Sequence, residues 1–224
     1  MKSKGFPRIN RNAWIASRIR DSDILHVGCT DWPLTEDRLR SNRLLHQELY
    51  SAARRCVGID LDAVGIAALR RAFPSGEFHV WNAEELADLP DVSANSWDFI
   101  VAGDVVEHMS NPGRFFAAAS RMLSADGTLI VTVPGAFSAK RFFWMLFTGK
   151  EQVHPDHVAY FSESTLRQLG GRYGLELSTI YSFQWHNPTL KNRLANFISM
   201  PLVVFSRGRC ADELAVEFRR RSEG

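Results

Sequence analysis

Two stretches decide the fold: Ile24-Leu25-His26-Val27-Gly28-Cys29-Thr30-Asp31 and, one helix-length later, Cys56-Val57-Gly58-Ile59-Asp60-Leu61. Each is a short apolar run, the first ending at a glycine and the second at a carboxylate. The chain between them suffices for one crossover helix, so the pattern reads strand–turn–helix–strand with parallel strands. Ligands of such sheets bind at the carboxyl ends of the strands. A glycine at that position lets backbone approach a ligand closely. A carboxylate at the end of the next strand can accept both hydrogen bonds of a ribose diol. Gly28, Cys29, Thr30, Asp60 and Leu61 are therefore candidate contacts to an adenosine-containing ligand.

The turn Gly28-Cys29-Thr30-Asp31-Trp32-Pro33 holds one glycine. The dinucleotide fingerprint needs three, and Asp31 would repel a pyrophosphate. A cofactor with ribose and no phosphate fits better, and S-adenosylmethionine is the candidate.

The totals narrow the class. A chain of 224 residues can bury a substantial single core. Its formal net charge of +2 sets up no strong field toward nucleic acid or membrane. Three widely spaced cysteines imply neither a zinc ribbon nor a disulfide framework, and a cytoplasmic setting is expected. The first residues lack the apolar core of a signal peptide, and no run approaches a membrane span.

In order, the pattern predicts a helix at 10–20 with Trp14, Ile15 and Ile19 on one face. Strand 24–28 follows, then a continuous helix 35–55 capped by Thr35 with a stripe of Leu39, Leu44, Leu45, Leu49 and Ala53. Next come strand 56–60, helix 63–73, strands 77–81 and 97–102, and a helix from Pro112 with Asn111 as its cap. An Asp126-Gly127 turn leads into strand 128–133. Helix 162–173, strand 175–183, a bent helical segment 192–205 around Pro201 and strand 213–219 complete the chain. Seven strands alternating with helices predict a single α/β domain built on a doubly wound, mostly parallel, Rossmann-like sheet with an antiparallel terminal strand. Residues 1–22 read as an N-terminal helical extension and 136–160 as a lid or acceptor-side insertion.

The order of these motifs resembles class I S-adenosylmethionine-dependent methyltransferases, and among them the group of small-molecule O-methyltransferases and ubiquinone-biosynthesis enzymes. The similarity runs from residue 24 to about 177, with the last strand also matching. Its most specific part is Trp97-Asp98-Phe99-Ile100-Val101-Ala102-Gly103-Asp104-Val105-Val106-Glu107-His108; Leu123 to Pro134 and His157-Val-Ala-Tyr-Phe161-Ser162 also match. The resemblance implies that Asn82, Ala83 and Glu84 form the adenine side, with the Asn82 amide at the ring edge, and that Gly103 and Asp104 lie beneath the sulfonium. It also shows two departures. His26 stands where the family has an acidic residue that helps hold the methionine ammonium, for which Asp31 is a candidate replacement. Thr30 stands where the family has a second glycine, which narrows the approach to the methionine moiety.

Asp104, Glu107 and His108 at i, i+3 and i+4 would converge on one helical turn. Some ubiquinone-pathway relatives are thought to hold magnesium with such a cluster; a structural role is the alternative, and no metal ligand is assigned. His154, His157 and His108 are the candidate catalytic groups, as general bases toward an acceptor hydroxyl. The run Phe142-Phe143-Trp144-Met145-Leu146-Phe147 is expected to cap an apolar acceptor, with a dimer contact, a shallow membrane contact or ordinary core as alternatives. The expected activity is methylation of a small-molecule acceptor, at a hydroxyl of a metabolite, sugar or lipid-linked intermediate. The competing reading is a degenerate fold that binds cofactor or partner without turnover. No nucleic-acid partner is expected; a peripheral membrane contact and a homodimer are open.

Overall fold

The computed structural model describes residues 10–184 and 189–221; the first nine residues of the expected N-terminal extension lie outside them. The elements run α1 (Arg11–Arg18), β1 (Asp23–Val27), α2 (Thr35–Arg40), α3 (Leu45–Ala52), β2 (Arg55–Asp60), α4 (Ala63–Ala72), β3 (Glu77–Val80), α5 (Pro90–Ser93), β4 (Trp97–Gly103), α6 (Pro112–Met122), β5 (Leu123–Pro134), α7 (Ala139–Thr148), α8 (Glu163–Arg172), β6 (Leu175–Phe183), α9 (Leu190–Phe205) and β7 (Glu213–Arg220). Short 3-10 turns at Ala83–Asp88 and Val106–His108 follow β3 and β4.

One seven-stranded sheet has the order β3-β2-β1-β4-β5-β7-β6. The first five strands are parallel, with Val27 beside both Ile59 and Ala102. The last strand is antiparallel, as expected. It is inserted between β5 and β6, antiparallel to both, so β6 holds the edge.

Alternation along the strands sends successive side chains to opposite faces. Leu25, Val27, Ile59, Ile100 and Val131 meet Phe116 and Phe218 on one face. Ile24, Val101, Ile130 and Ala215 meet Trp14, Ile15, Ile19 and Leu49 on the other. Each such valine, leucine, isoleucine or phenylalanine contributes about 1.5–3 kcal/mol on full burial. Trp14, Ile15 and Ile19 are all buried, so α1 belongs to the core face.

Helix ends follow local chemistry. The Asn10 side chain caps α1 by accepting from Ala13 N at 2.7 Å. Ser162 and Thr165 form a reciprocal capping box on α8. Gly149, at φ 67°, ends α7. Two expected caps are absent. Asn111 makes no side-chain bond to α6, and Thr35 is the first residue of α2, where its hydroxyl accepts from Asp31 N at 3.0 Å.

The continuous helix expected over 35–55 is two helices. Asn42 takes φ 52° between them, a left-handed conformation that asparagine tolerates better than most residues. The break turns Leu44, Leu45 and Leu49 inward while leaving Leu39 and Ala53 half-buried. The Asp126-Gly127 turn is an irregularity inside β5: its register against β4 slips between the pairs Trp97–Leu123 and Phe99–Thr128.

Candidate active site

At the carboxyl ends of β1, β2 and β4 lies an open cavity of about 460 Å³, within the size range of small-molecule and cofactor sites. Gly28 forms its floor. It takes φ 74°, and a Cβ there would stand 2.1 Å from Val105 Cγ2, so both the turn and the packing require glycine. Gly28 N and Cys29 N both donate to Ile59 O, at 2.9 and 3.2 Å, which anchors the turn to β2.

Asp60 closes the same loop. Its Oδ2 accepts from Thr30 N at 2.9 Å and its Oδ1 from Asp62 N at 3.0 Å. Asp62, rather than Asp60, caps α4 by accepting from Val64 N. A carboxylate has about four lone-pair sites, so Asp60 retains capacity for a diol while fixing the turn. The Thr30 side chain packs against α4, where a Cβ on Gly65 would lie 2.7 Å from Thr30 Cγ2. The threonine in the glycine position is thus accommodated by a missing side chain on the facing helix.

His26, at the other departure, meets a second histidine. His26 and His46 are buried, their rings stacked 5.3 Å apart and their Nδ1 atoms 3.0 Å apart. Burial, then the neighbouring His46 and Arg11, pushes the His26 pKa well down; burial alone lowers that of His46 to about 4. The pair is neutral at pH 7, one ring donating to the other. Asp31 lines the cavity and pairs with Arg38 at 2.5 Å. Burial raises the Asp31 pKa, and Arg38 pulls it the other way.

Leu61, Trp81, Asn82, Ala83 and Glu84 line one end of the cavity. Asn82 Oδ1 accepts from Glu84 N at 3.0 Å, starting the 3-10 turn. Glu84 accepts from Ser110 N and Asn111 N at 2.9 and 2.8 Å. Its carboxylate therefore clamps the loop after β4 onto this wall.

Gly103 and Asp104 line the other end. Asp104 takes φ 53° and receives a hydrogen bond from the Thr132 hydroxyl at 3.2 Å. Its other oxygen pairs with Arg11, which also reaches Glu213 at 2.9 Å. Burial alone would lower the Arg11 pKa, but Asp104 and Glu213 together carry it well above its ordinary value. Arg11 and Asn12 thus bring α1 to the cavity rim, a contact the sequence reading did not identify.

The expected convergence of Asp104, Glu107 and His108 does not form. The backbone leaves β4 through the left-handed Asp104 into a 3-10 turn, not an α-helical one. Asp104 turns to Arg11, Glu107 is buried and His108 is exposed. Among the described residues neither Glu107 carboxyl oxygen has a hydrogen-bond partner, and burial followed by Asp104 pushes its pKa up to about 9.

His108 instead meets His154 and His157. One ligand nitrogen from each ring lies within 4.8 Å of the other two. Val158 N donates to Glu107 O at 3.0 Å and fastens the histidine loop to the turn after β4. His108 and His154 line the cavity. Burial, then His108 and His154, lowers the His157 pKa.

The aromatic run does not cap this cavity. None of residues 143–147 lines it. Helix α7 packs beside α9 through Ala139 and Val203, and Phe142, Trp144, Met145, Leu146 and Phe147 are exposed. Phe142 and Met145 line a second, apolar groove with Val153, Tyr160 and Leu202. The loop between α7 and α8 serves both sites, sending His154 to one and Val153 to the other.

The comparisons with known proteins agree with this geometry. Residues 11–180 match the methyltransferase domain family. Over 165 residues the chain is 28% identical to a probable S-adenosylmethionine-dependent methyltransferase of Mycolicibacterium smegmatis, covering 73% of this chain and 55% of that protein. Over 120 residues it is 34% identical to a probable S-adenosylmethionine-dependent methyltransferase of Mycobacterium tuberculosis, covering 54% of this chain and 38% of that protein. The chain thus spans about half or less of the length of these relatives. The N-methyltransferase NodS of Bradyrhizobium japonicum, crystallised with S-adenosyl-L-homocysteine, superposes with a TM-score of 0.57 at 14% identity, over 94% of this chain and 85% of that one. A TehB-like S-adenosylmethionine-dependent methyltransferase of Corynebacterium glutamicum does so with 0.57 at 18% identity, over 94% and 86%. At these identities the structural likeness is one of fold. The family match across residues 11–180, on a sheet whose strand ends carry this cavity, shows that the chain belongs to the methyltransferase domain family, with the class I S-adenosylmethionine-dependent fold.

Proposed function

We propose that the domain transfers a methyl group from S-adenosylmethionine to a hydroxyl oxygen of a small molecule with an apolar portion. The observation that carries the reading is Asp60, tied by Thr30 N to the Gly28 turn at the strand ends, in a cavity that His108 and His154 also line. The glycine floor and the spare acceptor capacity of Asp60 fit the cofactor. Asp60 and Leu61 hold the ribose end, Trp81, Asn82 and Ala83 frame the adenine, and Gly28, Cys29, Thr30, Gly103 and Asp104 receive the methionine end. Glu84 shapes this wall through Ser110 and Asn111. The cofactor supplies an electrophilic methyl on a charged sulfonium.

The protein's part is mainly positioning, which suits an in-line displacement. His108, His154 and His157 stand on the acceptor side and activate the hydroxyl oxygen. The groove of Phe142, Met145, Val153, Tyr160 and Leu202 receives the apolar portion, because one loop lines both sites. The exposed face of α7 and α9 is where a bilayer surface or a second copy of the chain would meet the protein. The departure at Thr30, one of the two that favoured a fold without turnover, is accommodated by Gly65 on the facing helix.

Calorimetry with S-adenosylhomocysteine tests the cofactor half. Asp60→Ala should weaken binding at least about tenfold, since one hydrogen bond to a charged group contributes about 1.5–3 kcal/mol. Unchanged affinity in a folded variant would overturn the assignment. Transfer of labelled methyl from S-adenosylmethionine to pooled hydroxyl metabolites tests the acceptor half; product on nitrogen alone would refute the oxygen acceptor.

A further inference from the structure

The three histidines sit closer together than separate catalytic or structural roles require. Their ring centroids are 4.6 Å apart for His108 and His157, 5.1 Å for His154 and His157, and 5.8 Å for His108 and His154. They come from two segments, the turn after β4 and the loop after α7, that backbone hydrogen bonds hold together. His157 N donates to His154 O at 3.1 Å, and Val158 N to Glu107 O at 3.0 Å.

Second-shell groups orient the rings. His108 Nδ1 lies 3.2 Å from Asp156 O, and a backbone carbonyl can only accept. Nδ1 therefore carries the proton, and Nε2 is left with a free lone pair. Asp156 N reaches His154 Nδ1 at 3.3 Å, and the Asp156 carboxylate lies 3.8 Å from the same atom. Nδ1 accepts from this N–H, so Nε2 carries the ring proton; coordination through Nε2 shifts the proton to Nδ1, where the Asp156 carboxylate replaces the backbone N–H as its partner. His157 turns Nε2 toward Glu107, 3.9 Å away, leaving Nδ1 for a ligand. Glu107 is 1% exposed, and both its oxygens lack a hydrogen-bond partner among the described residues. A buried side-chain oxygen acceptor behind an imidazole holds the ring of a metal-bound histidine.

We propose that His108, His154 and His157 form a three-imidazole site for a divalent transition cation of the zinc class, with its open coordination position toward the acceptor side of the cavity. Three nitrogen donors with room for an oxygen ligand suit zinc or cobalt; magnesium prefers an all-oxygen shell. The site's role rests on the methyl-transfer reading. An acceptor hydroxyl at the open position becomes more acidic and releases its proton to solvent, and its oxygen forms the new bond to the methyl as the carbon–sulfur bond breaks. The imidazoles then act as ligands rather than as bases.

The test uses the full chain, free of any histidine tag and stripped with chelator, titrated with cobalt(II). One equivalent should bind with visible d–d absorption, and zinc(II), but not magnesium(II), should displace it. His108→Gln and His154→Gln change exposed residues, so the fold survives, and each should abolish the absorption. Glu107→Leu removes that acceptor and should weaken cobalt binding by about 10- to 100-fold, as losses of such second-shell partners do. No saturable cobalt binding, or binding unchanged in the His108→Gln/His154→Gln variant, would overturn the site. Calorimetry with S-adenosylhomocysteine on the same samples separates the two readings: bound nucleoside with no cobalt sinks the metal alone, and bound cobalt with no nucleoside sinks the methyltransferase reading.

Discussion

Arg11, the first residue of α1, bridges Asp104 at the end of β4 and Glu213 at the start of β7, 93 and 202 positions away. The bridge joins the rim of the cavity to the last strand of the sheet. Glu213 is 2% exposed, so removing the cation takes a charge partner from a buried carboxylate. Arg11→Met should therefore lower stability by about 3 kcal/mol, the low end for breaking a buried pair. Urea unfolding measures it. A loss within error of zero would show that water replaces the guanidinium and that the bridge is ornamental.

Thr30 and Gly65 should behave as one unit. A Cβ at Gly65 meets Thr30 Cγ2 at 2.7 Å and Asp62 Oδ2 at 2.3 Å. Gly65→Ala should destabilise by about 1–3 kcal/mol through overpacking. Adding Thr30→Gly should recover part of that loss, because one of the two clashes goes. A double-mutant cycle reads the coupling; additive effects would mean that the two side-chain positions do not meet.

The buried His26–His46 pair sets an acid limit. Both folded pKa values lie below the ordinary 6.5, that of His46 at about 4. Below pH 6.5 the unfolded chain takes up protons that the folded pair refuses, so stability falls as pH drops from about 6.5 toward 4. Each refused proton contributes a slope of at most about 1.4 kcal/mol per pH unit. Arg11 is the charged group acting on His26, while Tyr50, Phe73 and Phe78 surround His46. His46→Phe keeps an aromatic ring among them and should flatten that slope by about one proton. An identical slope, measured by urea unfolding at several pH values, would show that His46 is already protonated in the fold.

Trp144 and Phe147 are 49% and 79% exposed. Trp144→Ser/Phe147→Ser should therefore leave both stability and nucleoside affinity almost unchanged, within the roughly 0.5 kcal/mol typical of surface changes. A large drop in melting temperature would show that the run is core after all. A rise in the acceptor's KM alone would restore the cap over the acceptor that the fold places elsewhere.

What could be read from the sequence was what short-range pattern carries. Gly28 and Asp60 announce themselves because strand, turn and strand lie within a few dozen residues, and each residue type has one strong backbone or hydrogen-bonding reason to be there. The break at Asn42 was hidden because the apolar spacing across it suits either one helix or two. The Arg11 bridge and the His26–His46 pair were hidden because their partners are distant in sequence and any basic or aromatic residue fits the local pattern. The carboxylate cluster misled because i, i+3 and i+4 converge only on an α-helix, and a left-handed Asp104 followed by a 3-10 turn rotates them apart. The three histidines could be named singly, but their meeting depends on a loop returning past the end of β4.

The placement of β7 has a consequence for the order in which the sheet can be completed. β6 is made before β7, yet among the described residues its only neighbour in the sheet is β7. Until residues 213–220 emerge, β5 and β6 both present unpaired backbone, two open edges on a chain whose other strands can already assemble. A nascent or truncated polypeptide stopping before Glu213 is therefore exposed to edge-to-edge association at the stage when synthesis delivers strands one after another. Closure of the sheet waits for residues 213–220 to arrive.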